Sequence, residues 1–89
     1  MKAVVAVIGQ DRVGILAKIS NACAESNASV DDVSQTVMQN FFTMVMLVDI
    51  SALNCSFREL TERLTDTGRD VGMKVHVMHE DIFNSMHRI

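Results

Sequence analysis

The chain has 89 residues, which suffices for one domain with a single two-layer core and not for two. Apolar residues make up 48% of it and charged residues 21%, a composition typical of globular domains and unlike that of disordered chains. The net charge is −3 and the Lys and Arg residues are scattered. This argues against nucleic acid or an anionic membrane as a main partner, because both require clustered positive charge.

The two cysteines and the absence of a long apolar run predict a cytoplasmic protein. Cys23 and Cys55 are isolated in the sequence, so they indicate reduced thiols and not a disulfide framework. No apolar run approaches the ~18 residues needed to span a bilayer. The apolar residues after Lys2 are too few for a signal peptide, and Gln-Asp-Arg interrupts them. We therefore predict no membrane partner.

The first segment predicts a buried strand followed directly by a helix. Residues 2–8 (KAVVAVI) are apolar at both alternating positions, as expected of a central strand buried on both faces. Between about residues 11 and 26, apolar side chains recur three and four residues apart, which is typical of an amphipathic helix. A turn at Asn27-Ala28 is expected to end this helix.

The middle of the chain predicts two strands joined by a tight turn. Residues 30–38 have an extended pattern, and the adjacent Asp31 and Asp32 favour a sheet edge or a β-bulge. Gln39-Asn40 predicts a hairpin turn. The apolar row that follows at every second residue consists of Phe42, Met44, Met46, Val48 and Ile50. Because the opposite row is also largely apolar, we predict a second central strand here.

The last third predicts a second helix and an edge strand. Ser56 followed by Glu59 is a capping-box pattern. The apolar stripe of this helix consists of Phe57, Leu60, Leu64 and Val71. Gly68 and Gly72 are expected to loosen its exit. Residues 73–78 then alternate between apolar and polar side chains, as in an edge strand with one wetter face.

The order strand, helix, strand, strand, helix, strand predicts an α+β protein with the ferredoxin-like βαββαβ sandwich. Its four antiparallel strands take the order 4-1-3-2, and both helices lie on one face. The first and third strands are then central, in agreement with their apolar residues at both alternating positions. We expect one domain over residues 1–80 and a short helical tail over residues 81–89 (DIFNSMHRI), with Ile82, Met86 and Ile89 at helical spacing. So short a helix needs tertiary contacts.

The polar segment Gly9-Gln10-Asp11-Arg12-Val13-Gly14 lies between the first strand and the first helix. A phosphate-binding P-loop would have Gly-Lys-Ser/Thr where this chain has Gly14-Ile15-Leu16, and a nucleophile turn would need a serine. Two interpretations stay open. Either the N–H groups at the helix start bind a carboxylate or another small anion, or Asp11 caps the helix and occupies those N–H groups.

A resemblance to ACT domains is carried by GQDRVGILAKIS together with Asn27-Ala28-Ser29-Val30. The segments DDVSQTVMQNFFTMVMLVDI and DIFNSMHRI resemble small proteins that consist of one ACT domain, so the resemblance covers essentially the whole chain. The sequence is also similar to the ACT domains of formyltetrahydrofolate deformylase and of the glycine cleavage repressor. The resemblance implies a βαββαβ regulatory module that commonly dimerises and often binds an amino acid between subunits. Because the sequence offers no nucleophile–base pair, we do not expect an enzyme.

The resemblance also implies where a ligand would bind. The implied ligand-binding residues are Gly9, Gln10, Asp11, Arg12, Val13, Gly14 and Ile15, with Asn27 and Ser29 across the subunit interface. Two positions depart from a serine-binding relative, which has histidine at the position of Gly9 and asparagine at that of Ser29. The implied function is a small-molecule-binding regulatory or sensor module, with a regulated enzyme or regulator protein as a further partner. The alternative is a protein–protein interaction module that keeps the fold without a ligand.

Other polar residues predict neither a metal site nor a catalytic site. His76 and His79 would point to opposite sides of a strand, so one metal ion could not bind both. The adjacent Asp31 and Asp32 would also point apart, which makes them a poor pair for acid–base chemistry. We therefore predict no metal, no cofactor and no catalytic residue.

A homodimer is predicted from the side of the sheet that the two main helices leave uncovered. Counting alternate positions, this outer face carries Val45, Leu47 and Met78 beside Gln35 and His76. A monomer with this face bare would expose more contiguous apolar area than is usual. The tail is therefore expected either to fold over its own sheet or to cross to a second subunit. An isologous dimer through the second strands or the first helices would bring residues 9–14 of one chain near Ser29 of the other.

Overall fold

The predicted order of elements is confirmed in the computed structural model, which describes residues 1–86 without the side chains of Phe83, Ser85 and Met86. The elements are β1 (Lys2–Gln10), α1 (Ile15–Glu25), β2 (Ser29–Met38), β3 (Phe41–Asp49), α2 (Phe57–Asp70), β4 (Met73–His79) and α3 (Glu80–Met86). Residues 87–89 of the predicted tail, including Ile89, lie outside the described residues. The boundary between domain and tail stays a prediction.

The sheet has the predicted topology. Its four strands are ordered β2-β3-β1-β4, and each neighbouring pair is antiparallel. This is the order 4-1-3-2, with β1 and β3 central. The pairing of β2 with β3 shifts register between Val30 and Asp32, which places a β-bulge at Asp31 as the acidic pair predicted.

The hydrophobic core lies between one face of the sheet and the helices α1 and α2. The predicted apolar row is buried along β3 from Phe42 to Val48 and continues with the buried Ile50 just after the strand. It meets Ile15, Ile19 and Cys23 from α1 and the fully buried Leu60 and Leu64 from α2. Burial raises the pKa of the Cys23 thiol to about 11, because the charged thiolate is disfavoured among apolar side chains.

The helix ends follow local sequence signals, with two corrections. The predicted capping box is formed by reciprocal hydrogen bonds between Ser56 and Glu59. α1 begins at Ile15 and not near residue 11, because Gly14 at its N-cap has φ +90° in the left-handed region. Gly68 does not loosen the exit of α2. It is buried inside the helix against β4, and Gly72 follows the helix with φ +73°.

The prediction that Gln35 lies on the outer face of the sheet is wrong. Gln35 pairs with Met44, so it belongs to the side that faces the helices, and Ser34 lies beside Val45 on the outer face. After the bulge at Asp31, each side chain of β2 points to the face opposite the one expected from simple alternation. Counting alternate residues along the sequence does not include this extra residue. Helix α3 packs against β1 and β4 of its own chain. Val4, which lies on this outer face, is consequently only 6% exposed.

Candidate functional site

The loop between β1 and α1 is shorter than its sequence suggests. Gly9 and Gln10 belong to β1, where they pair with Phe42 and Phe41 of β3. The loop proper is therefore residues 11–14. The backbone N–H of Asp11 donates to the carbonyl oxygen of Asn40 at 2.8 Å. This hydrogen bond attaches the loop to the turn of the β2–β3 hairpin.

The first turn of α1 presents backbone donors that no side chain occupies. Gly14, the N-cap residue, has no side chain, and no side-chain cap is present among the described residues. The interpretation in which Asp11 caps this helix is therefore wrong. The first intrahelical hydrogen bond runs from Lys18 N–H to the carbonyl oxygen of Gly14 at 3.0 Å. The N–H groups of the three helical residues before Lys18 lack intrahelical acceptors and carry the positive end of the helix dipole.

Glycine is required at Gly9 and at Gly14 for different physical reasons. A Cβ at Gly14 would meet nothing within 4 Å, so the requirement for glycine there comes from its positive φ. A Cβ at Gly9 would lie 2.7 Å from Sδ of Met73 and 2.9 Å from the carbonyl oxygen of Gly72. Gly9 is therefore explained by the close approach of the start of β4.

Arg12 supplies positive charge at the same end of the sheet. A Cβ at Gly72 would lie 3.4 Å from Nη1 of Arg12, so the guanidinium group lies against the turn between α2 and β4. Among the described side chains, Arg12 forms no ion pair with a carboxylate. Val13, next to it, is fully exposed. The loop thus combines an available cation with unoccupied backbone donors, an arrangement suited to a small carboxylate.

Asn27 and Ser29 lie at the opposite end of the domain from this loop. Ser29 pairs with Asp49, which also pairs with Lys2, whereas the loop follows Gln10 at the far end of β1. Eight residue steps of a strand separate Lys2 from Gln10, or about 26 Å. Within one subunit a small ligand cannot contact both groups, so the predicted set is complete only if a second subunit contributes.

Asn27 also has a local structural role. Its φ is +59°, and it follows α1 at the position where a left-handed residue ends many helices. The N–H groups of Asn27 and Ala28 donate to the carbonyl oxygens of Ala24 and Cys23 at 3.0 and 2.8 Å, which is a Schellman motif. Nδ2 of Asn27 donates to the carbonyl oxygen of Ala52 at 2.7 Å. This amide is therefore already engaged within its own chain.

Two residues that border the loop were not among the sequence-predicted site residues. Asn40 contacts it through the hairpin turn, and Gly72 lies under Arg12. Both positions were recognisable as turn residues, but nothing local in the sequence places them beside residues 11–14. Among the described residues, no group of three or more His, Cys, Asp or Glu side chains could hold a metal ion. None of the helices in residues 1–86 is long and apolar enough to cross a membrane.

Residues 2–78, which contain the loop and all four strands up to Met78, match the family described as the ACT domain. The chain belongs to the ACT domain family. It is 53% identical over 88 residues to a UPF0237 protein of Methanocaldococcus jannaschii, covering 99% of this chain and 98% of that protein. ACT domains are generally small-molecule-binding regulatory modules.

Solved structures with the same fold agree with this assignment. The ACT domain protein from Streptococcus pneumoniae superposes with a TM-score of 0.81 at 34% identity, covering 98% of both chains. A formyltetrahydrofolate deformylase from Pseudomonas syringae superposes with a TM-score of 0.78 at 23% identity, over 88% of this chain and 27% of that one. At 23% identity, the comparison with the deformylase supports the fold alone.

Proposed function

We propose that this ACT domain is a regulatory or sensor module that binds an amino acid at the β1–α1 loop. The observation that carries the proposal is the uncapped start of α1 beside Arg12. Backbone N–H groups at a helix start attract carboxylates, since they are unsatisfied donors at the positive end of the helix dipole. The guanidinium group of Arg12 can add a charge-assisted hydrogen bond to the same carboxylate.

A second subunit would supply the remaining contacts to the ligand. The α-amino group of an amino acid needs hydrogen-bond acceptors, and the side-chain oxygen of Gln10 at the end of β1 is an exposed one. Ser29 of the partner subunit would provide another, if the two chains pack with opposite ends together. The side-chain amide of Asn27 would donate to the ligand only after breaking its hydrogen bond to the carbonyl oxygen of Ala52. We therefore expect Asn27 to matter more for the end of α1 than for ligand binding.

Thermal unfolding in the presence of each of the twenty amino acids tests the proposal. A ligand at 100 times its Kd adds about 2.7 kcal/mol to the free energy of unfolding. For a domain of this size, each kcal/mol corresponds to a rise in Tm of roughly 4–8 °C, so saturation is readily detected. Isothermal titration calorimetry would then give the Kd of any amino acid that raises the Tm.

Arg12→Gln is the informative variant, because it removes the charge and keeps the length of an exposed side chain. Arg69→Gln is the matched control, since Arg69 is an exposed arginine of α2 that pairs with Asp66 at 3.2 Å. We expect Arg12→Gln to weaken binding at least tenfold and Arg69→Gln to leave it unchanged. Equal affinities in both variants, or no Tm increase with any amino acid, would contradict the proposal.

The protein–protein interaction module is the second candidate, and one observation favours it. Val13, Met38 and Phe41, which lie in or beside the loop and the hairpin tip attached to it, are all strongly exposed. Exposed apolar side chains grouped at one end of a domain are typical of contact surfaces. Two results together would support this candidate: the wild-type chain binds no amino acid, and the Val13→Ser variant loses binding to a defined partner protein.

A further inference from the structure

A cavity lies on the outer sheet face beside α3, toward the end of the sheet away from the β1–α1 loop. Its volume is about 290 Å³, near the lower limit for sites that hold small molecules. Its floor consists of Val4 of β1 and of Val45 and Leu47 of β3, so the floor is apolar. Six residue steps of β1, or about 20 Å, separate Val4 from Gln10, after which the loop begins.

Polar side chains border this floor on two sides. Asp32 and Ser34 lie on the β2 side, because they pair with the floor residues of β3. Glu80 and Asn84 lie on the α3 side, and their spacing of four residues places them on one face of the helix. Because α3 packs against β1 and β4, these two residues flank the floor opposite β2. Each side therefore offers one carboxylate and one neutral side-chain oxygen.

The carboxylates of the cavity lack a cation among the described side chains. Neither Asp32 nor Glu80 forms an ion pair there. Oδ1 of Asp32 accepts the backbone N–H of Val33 at 2.9 Å, which leaves the second carboxylate oxygen for a ligand. Lys2 is paired with Asp31 at 2.8 Å. The hydrogen bond and the charge of Asp31 raise the pKa of Lys2, and Glu80 adds only a smaller charge contribution, so Asp31 is the main partner of this lysine.

The two carboxylates lie on opposite sides of the floor, which favours a ligand with two positive charges. Asp32, Leu47 and Val4 are opposite one another in neighbouring strands. Two strand spacings, or about 10 Å, therefore separate the backbone of Asp32 from that of Val4. A single ammonium group would leave the carboxylate of one side without a cation. An alkane chain with an ammonium group at each end can pair with both carboxylates and cover the apolar floor.

We infer that this cavity binds a short alkane diamine. One ammonium group donates to Asp32 and Ser34 and the other to Glu80 and Asn84, since each ammonium carries three N–H donors. The methylene groups between them lie on the apolar floor and are removed from water. The inference is independent of the proposed function. An amino acid carries a carboxylate, which this acidic lining repels, whereas the β1–α1 loop offers a cation and backbone donors.

Titration of the full chain with cadaverine (the five-carbon α,ω-diamine), followed by the NMR shifts of backbone amides, tests the inference. The largest shifts are expected at residues 32–34, 45–47 and 80–84, and none at residues 11–14. Because the carboxylates stay in contact with water, the affinity should fall as salt is added. Pentylamine has one ammonium group and pentanediol none, so both should bind at least tenfold more weakly. Equal affinity for pentylamine, or shifts confined to other residues, would overturn the inference.

Two conservative variants test the carboxylates one at a time. Asp32→Asn and Glu80→Gln each remove a charge at nearly constant size, and asparagine keeps an acceptor for the N–H of Val33. Each should weaken cadaverine binding at least tenfold with an unchanged circular dichroism spectrum. Glu25→Gln is the matched control, because Glu25 is exposed on α1 at the other face of the sheet, and it should leave the affinity unchanged. Equal weakening by all three variants would indicate unspecific attraction to negative charge and would overturn the inference.

The same titration distinguishes other occupants of the cavity. Cadaverine binding only by a chain that ends at Met86 would assign the cavity to residues 87–89. Binding that weakens as the protein concentration rises would assign it to a second copy of the chain. Either result would overturn the inference. Arg12→Gln separates the two proposed sites, because it should weaken amino-acid binding and leave cadaverine binding unchanged; loss of cadaverine binding in this variant would place the diamine at the loop and would also overturn the inference.

Discussion

Gly68 allows the sharpest test of how α2 packs on the sheet. It lies in the interior of the helix and is buried. A Cβ at this position would overlap Cγ2 of Val75 and would lie 3.3 Å from the carbonyl oxygen of Met73. The glycine is therefore explained by the close approach of α2 to β4, since a glycine inside a helix is otherwise unfavourable.

The expected effect of Gly68→Ala is the difference between two opposing contributions. Overpacking a filled core costs about 1–3 kcal/mol. Alanine is favoured over glycine inside a helix by roughly 1 kcal/mol. The net loss in the free energy of unfolding should therefore be about 1 kcal/mol, which lowers the Tm by roughly 4–8 °C.

The overlap with Val75 can be isolated by a double-mutant cycle measured by urea unfolding. Val75→Ala alone should cost roughly 2 kcal/mol, because it removes buried methyl groups and leaves a cavity. In that background the new Cβ has room, so Gly68→Ala should raise the free energy of unfolding by about 1 kcal/mol, the helix-propensity gain. If Gly68→Ala stabilises the wild-type chain as much as the Val75→Ala chain, the overlap is absent and the reasoning is refuted.

Two further predictions concern the thiols and the start of α2. A thiol reagent at pH 8 should modify the half-buried Cys55 of the native protein much faster than Cys23, because Cys23 is buried and its pKa is raised to about 11. Mass spectrometry over time measures the two rates, and equal rates in the native protein would contradict this prediction. Ser56→Ala should lower the free energy of unfolding by about 1 kcal/mol and Ser56→Gly by only a few tenths, because glycine is tolerated at an N-cap. Urea midpoints of Ser56→Ala and Ser56→Gly that both equal the wild-type midpoint would show that the capping box does not stabilise α2.

Most of the fold could be predicted because its signals are local. Period-two and helical spacings of apolar residues depend only on which side chains share a face, so they located the four strands and the amphipathic helices. The capping box of Ser56 and Glu59 and the turn at Gln39-Asn40 involve residues at most three apart, and the structure contains both. The central positions of β1 and β3 also followed, because a strand with a neighbour on each edge is better shielded from water than an edge strand and carries apolar residues at both alternating positions.

The features that the pattern missed depend on contacts between distant segments. The exact start of α1 depends on the extension of β1 along β3 and on the positive φ of Gly14. The side on which Gln35 lies depends on how the bulge pairs with β3, and the need for glycine at position 68 depends on Val75 of another element. The candidate site was recognised from its motif, but tertiary structure places Arg12 beside Gly72 and Asn27 at the far end of the sheet. Residue spacing along a chain constrains only near neighbours, whereas the sheet register determines which distant residues meet.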